Sequence, residues 1–252
     1  MAKRLSSPKN KLKQKRFFIF LLVGIYLIIC SLLVSVYFFV DRSLPGLETT
    51  LLLLLIGLTF VLVWAKQSMI PIQMYLHYYR MLDEQLPPFV IQSPVQSKAF
   101  LHNLEKYQFQ LETETNAFQL FTRVYDHLPW VARTQTSLIL IVLIKDQSMT
   151  LTDDRLELVI QQYKTNLKLK KEIQNELTLL FYQAPFLTEE LKEKTQQIIN
   201  FSLQNRAIIT IPCLQIGDKK IYTLRPKRLF PNKFYYVLIK LLYYLTDANE
   251  ML

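Results

Sequence analysis

Glycine is nearly missing from this chain. Only Gly24, Gly46, Gly57 and Gly217 occur in 252 residues, and only the last lies beyond the N-terminal quarter. Walker A loops, dinucleotide fingerprints and kinase-type loops need several glycines where backbone amides approach phosphate oxygens, so none fits the remaining three quarters. Cysteine is equally scarce. Cys30 and Cys213 cannot build a disulfide framework, and Cys30 lies inside an apolar run. His77, His102 and His127 show neither HExxH nor Cys-pair spacing, which leaves no zinc motif. The sequence therefore asks for no cofactor and no metal.

What is present is apolarity and positive charge, both unevenly spread. Hydrophobic residues make up 51%, and 30 Lys+Arg against 20 Asp+Glu give a net charge of +10. Mean hydropathy is +0.15 and the pI is near 9.5, values foreign to a disordered or fibrous chain. Phe17 to Val40 is 24 residues without a charge, about 36 Å as a helix against about 30 Å of hydrocarbon. A second uncharged run spans residues 49–65, and Pro45-Gly46 supplies a turn between the two. The first run is too long for a signal-peptide core, and the second shows no polar face.

These features predict an N-terminal two-helix transmembrane hairpin: basic tail 1–16, first span 17–40, external loop 41–48 and second span 49–65. Lys3, Arg4, Lys9, Lys11, Lys13, Lys15 and Arg16 precede the first span with no acid among them, whereas the loop holds only one base. The positive-inside rule then puts both termini in the cytoplasm and the protein in the cell membrane. Removing tail and loop leaves 22 basic and 18 acidic residues in 66–252, a nearly balanced domain on a basic tail.

Residues 66–94 read as a juxtamembrane helix followed by a Pro-rich linker, since Pro87-Pro88 ends helical geometry. Residues 95–252 read as a cytoplasmic α+β domain with a mixed or antiparallel sheet of about five strands and three to four helices. Phe109 and Leu111 alternate with polar neighbours as in a strand, and SLILIVLIK at 137–145 suits a central strand covered on both faces. Asp153-Asp154 and Thr188-Glu189-Glu190 mark helix starts. Ile173, Leu177 and Phe181 continue the first of these helices, while the second runs to about Gln204. Gly217-Asp218 marks a hairpin, and Pro212 argues that its first strand is an edge or carries a bulge. The last helix opens at Pro231 and is apolar nearly all round, so it is buried or meets a partner.

Chemical candidates are few. His127 stands beside Asp126 and near Trp130, but neighbours on a strand point to opposite faces, so the carboxylate cannot orient the ring. Cys213 in an apolar strand reads as a packed core residue. The paired acids Asp153-Asp154 and Glu189-Glu190 are explained by the helix starts they occupy. The strongest local feature is basic and aromatic: Lys219, Lys220, Arg225, Lys227, Arg228 and Lys233 fall within fifteen residues, interleaved with Tyr222, Phe230, Phe234, Tyr235 and Tyr236. It reads as a segment for an anion, for a lipid headgroup or for plain solvent contact.

The sequence favours a membrane-anchored cytoplasmic binding module (scaffold, adaptor or sensor) with no catalytic residue. The alternative is a membrane-tethered enzyme or nucleic-acid-processing factor that holds a phosphorylated substrate on residues 219–233. The lipid bilayer and its anionic headgroups are the expected partners, the C-terminal helix is open to a homo- or hetero-oligomer, and nucleic acid is disfavoured.

Overall fold

The computed structural model describes residues 8–39, 47–84, 86–128, 135–146, 154–167, 172–203 and 206–248. Two compact units divide the chain, Met1–Tyr79 and Arg80–Leu252. The first holds α1 (Pro8–Phe39) and most of α2 (Leu47–Glu84). Pro8 takes a first-turn position, where its missing N–H has no helical partner to lose.

Among the described residues no helix is long and apolar enough to cross a membrane. That finding overturns the transmembrane hairpin, its two spans and the cell-membrane localisation inferred from the uncharged runs. The physical reason is that neither run forms an element of its own. The helix containing Phe17–Phe39, the described part of the first run, begins at Pro8 and takes in Lys9, Lys11, Lys13, Lys15 and Arg16. The one containing residues 49–65 continues unbroken past Lys66 and Pro71 to Glu84, so no separate juxtamembrane helix forms. Ile19 and Ala65 are buried with Leu76 packed against them, which turns part of the apolar surface into protein contact. Large side chains of both helices are nonetheless exposed, among them Phe17, Leu53, Phe60 and Trp64. The orientation drawn from basic residues falls with the spans; Lys3, Arg4 and residues 40–46 lie outside the described residues.

The second unit is built on an eight-stranded mixed sheet, larger than the five strands expected. In chain order its elements are β1 (Phe89–Val90), α3 (Lys98–Lys106), β2 (Gln110–Glu114), β3 (Phe118–Tyr125), β4 (Ser137–Ile144), α4 (Asp154–Asn166), β5 (Asn175–Ala184), α5 (Glu189–Gln196), β6 (Ile199–Leu203), β7 (Arg206–Ile216), β8 (Lys220–Thr223) and α6 (Lys233–Thr246). The sheet order is β1-β8-β7-β5-β4-β3-β2, with β6 also on β7. Strands β4, β5 and β7 are parallel, and the antiparallel strands flank them.

Three strands were not anticipated. β5 was read as helix because Ile173, Leu177 and Phe181 recur at a helical interval. In the sheet, however, Leu177 through Tyr182 are all buried, as a strand covered on both faces requires. β6 was assigned to the helix that ends at Gln196 instead. β1 was taken for linker, yet Phe89 pairs with Ile221 of β8. The segment after it is pinned too: the Thr246 carbonyl accepts from the Gln92 and Ser93 amides at 3.1 and 3.0 Å. Gln215 Oε1 accepts from the Val95 amide at 2.6 Å.

Pro212 lies inside the sheet rather than at its rim. β7 pairs with β6 through Thr210 and with β8 from Cys213 onward, along the same side. The proline falls in the gap between these partners, where a missing N–H costs no ladder bond. Its carbonyl, on that same side, accepts from the Thr223 hydroxyl at 2.8 Å. Gly217 turns the following hairpin with φ of 55°, a left-handed conformation suited to glycine.

Helices cover both sheet faces. Leu156 and Ile160 of α4 pack on Leu138, Leu140, Val142, Leu180 and Tyr182, with Leu191 of α5 beside them. The opposite face carries α3 and α6. There the Phe100 ring meets Phe181 edge-on at 5.6 Å. Ser97 caps α3 by accepting from the Phe100 amide at 3.1 Å. The outer strand β2 carries a bulge between Leu111 and Thr113 and exposed acids, which blunts its open edge.

Candidate ligand-binding surface

The segment 219–233 does not form one patch. Lys219 and Lys220 are exposed at the β7–β8 turn, whereas Lys227 and Arg228 are exposed beyond the far end of β8. An extended run of this length separates the two pairs by roughly 20 Å. Arg225 lies between them and is buried. Its guanidinium donates to Tyr243 Oη at 2.8 Å and to the Pro87 carbonyl at 3.1 Å, and lies 4.9 Å from the centre of the Phe89 ring. This residue ties β8, β1 and α6 together.

Glu84 receives the Lys227 amide at 2.7 Å and pairs with Arg80 at 2.9 Å. The amide hydrogen bond, followed by Arg80, holds its carboxyl below the ordinary value of 4.5. Lys233 opens α6, 4.8 Å above the Phe234 ring. The N-terminus of α6 is capped by its own chain, since Asn232 Oδ1 accepts from the Tyr235 amide at 2.8 Å.

The other candidates resolve as follows. His127 and Asp126 are exposed in the bend after β3, and Trp130 lies outside the described residues. Cys213 is fully buried, and burial pushes its thiol up to about 12, so it carries almost no thiolate near neutrality. Asp153 lies outside the described residues, while Asp154 opens α4 and Glu189-Glu190 form the first turn of α5. Thr188 Oγ1 caps α5 through the Leu191 amide at 3.2 Å. Among the described residues no group of three His, Cys, Asp or Glu could hold a metal ion. On the α4/α5 face, burial lowers the pKa of Lys194, whose ammonium lies 4.5 Å from the centre of the Tyr182 ring.

A different set of residues comes together on the outer side of α6. Ten of its side chains are buried, including Phe234, Tyr235, Leu238, Leu241, Leu242 and Leu245. They pack toward β5, β7 and α3. Tyr236, Lys240 and Tyr244 follow at intervals of four on the remaining side, as the helical period dictates. Lys240 Nζ lies 5.6 Å from the centre of the Tyr236 ring and 5.9 Å from that of Tyr244. Phe230 meets Tyr236 edge-on at 5.1 Å.

The row continues across α3 and onto β3. Tyr107, at the end of α3, stacks on Tyr244 with ring centres 6.0 Å apart and 28° between planes. Lys106 Nζ is 6.0 Å from the centre of the Tyr107 ring. Arg123 donates to the Tyr107 carbonyl and, at 3.1 Å, to Gln108 Oε1, while its guanidinium covers the Tyr125 ring at 4.0 Å. Burial raises the Tyr107 pKa, helped by Tyr244 and Asp247, and burial also raises that of Tyr125. These two phenols, Tyr107 and Tyr125, therefore stay neutral throughout the physiological range. Alternating π faces and cations make a strip that can stack on flat groups and attract anions at once.

The sequence alone hides most of this strip, since Tyr107 and Tyr244 lie more than half the chain apart. The i, i+4, i+8 placement of Tyr236, Lys240 and Tyr244 was its only readable trace. No family model, no curated protein and no solved structure matches this chain.

Proposed function

We propose that Arg80–Leu252 is a binding module that recognises its partner through the strip of Tyr107, Tyr236, Lys240 and Tyr244. The observation that carries this reading is the continuous row of rings and cations drawn from α3, β3 and α6. Tyrosine is among the side chains that most often dominate binding energy where proteins meet partners, and an ammonium beside it adds attraction for anionic groups. An alternative activity on a phosphorylated substrate held by residues 219–233 finds less support, because Arg225 is engaged inside the fold and the flanking lysines lie at opposite ends of β8.

Lysine acetylation of the full chain, read by mass spectrometry in buffer and in an extract of the producing cells, tests the reading. Lys106 and Lys240 should be protected in the extract, while Lys219 and Lys220 keep their reactivity. Protection of Lys219 and Lys220 alone, or of none of the four, would contradict it.

A further inference from the structure

Resting on the binding reading, we infer that the strip takes single-stranded nucleic acid, with bases stacked on Tyr236 and Tyr244 and a phosphate held by Lys240 between them. Four residues of α-helix rise about 6 Å, so the two rings stand about 12 Å apart along α6 with the ammonium midway. This ring–cation–ring order sets a positive charge between two stacking surfaces, as a single strand sets phosphates among its bases. Lys106 and Arg123 extend the positive track past Tyr107 to the next ring, Tyr125.

Two other anionic partners use less of what is present. An acidic peptide would engage the cations and leave the rings idle. A duplex keeps its bases stacked on one another and offers the rings no flat face. Stacking on tyrosine tolerates any base, so the preference expected is for strandedness rather than sequence.

The test uses the full chain with a fluorescein-labelled 20-nucleotide oligo-dT, a duplex of the same length and polyglutamate, read by anisotropy at 50 and 200 mM KCl. The single strand should bind best. Neutralising about three phosphates should weaken its affinity roughly fifteenfold over that salt range. Tyr236→Ala and Tyr244→Ala should each weaken it about tenfold, whereas Tyr236→Phe and Tyr244→Phe keep the ring and stay within about twofold of wild type, a stacking signature. Absence of binding at 50 mM KCl, equal affinity for duplex, unchanged affinity on losing the rings, or equal competition by polyglutamate would each overturn the inference. Nuclease treatment of the extract separates the two claims. Loss of the Lys106 and Lys240 footprint supports nucleic acid, whereas a footprint that survives overturns it and leaves the binding reading intact.

Discussion

Two parts of the Arg80–Leu252 unit carry interleaved cations and aromatics, and they differ in how they came together. Residues 219–233 are contiguous in the chain but end up scattered: two lysines at a turn, one arginine in the interior, and three more cations past the strand. The strip on α6, α3 and β3 is dispersed in the chain and continuous in space. Extended backbone carries a short run of like charges apart, whereas a helix returns every fourth residue to the same side. A local density of charge therefore says little about a site until the element that carries it is known.

The largest effect expected from this contrast is at Arg225. Truncation by Arg225→Ala removes the donor to Tyr243 Oη and to the Pro87 carbonyl and takes a buried cation from the Phe89 ring. It should cost about 3 kcal/mol of stability in urea unfolding, without altering the affinity of the protein that remains folded. Lysine at the same position should not restore the loss, because it cannot reach both acceptors. A loss below about 1 kcal/mol would return Arg225 to the list of ligand-facing cations. Next comes a pair of tyrosines on α6. Tyr235→Phe removes the buried hydroxyl that donates to the Leu224 carbonyl and should cost about 1 kcal/mol, whereas Tyr244→Phe at the exposed strip should change stability by less than about 0.5 kcal/mol.

The smallest effect concerns acid. Glu84 has a depressed pKa in the folded chain, so its contribution is fully present above 4.5 and disappears as pH falls through the lower folded value. Glu84→Gln should remove that acid-side loss, which amounts to under about 1 kcal/mol because the half-buried carboxylate still meets solvent. Unfolding midpoints of both proteins between pH 7 and pH 3 would show whether their difference narrows on acidification. A constant difference would break the assignment.

Much of the sheet was legible beforehand, for reasons that particular residues make clear. SLILIVLI at 137–144 is apolar at every position after Ser137 and too short for a span, and it forms a strand covered on both faces. Gly217 announced its turn. β5 stayed hidden because a strand buried on both faces loses the period-two alternation, and its leucines then satisfy a helical spacing equally well. β6 and β1 owe their strand form to partners elsewhere in the chain, β7 and β8, which no local pattern reports. The N-terminal runs were read as free-standing elements when they belong to longer helices bearing charged residues. The strip was nearly invisible, since its rings come from three elements.

One charge reversal, made twice, tests the central claim most directly. Lys240→Glu and Lys220→Glu change net charge identically, one on the strip and one on the β7–β8 turn. Titrated against the same labelled oligo-dT, the first should weaken binding about tenfold and the second less than twofold. Equal weakening by both would mean that overall charge, and not the ordered row of rings and cations on α6, governs recognition.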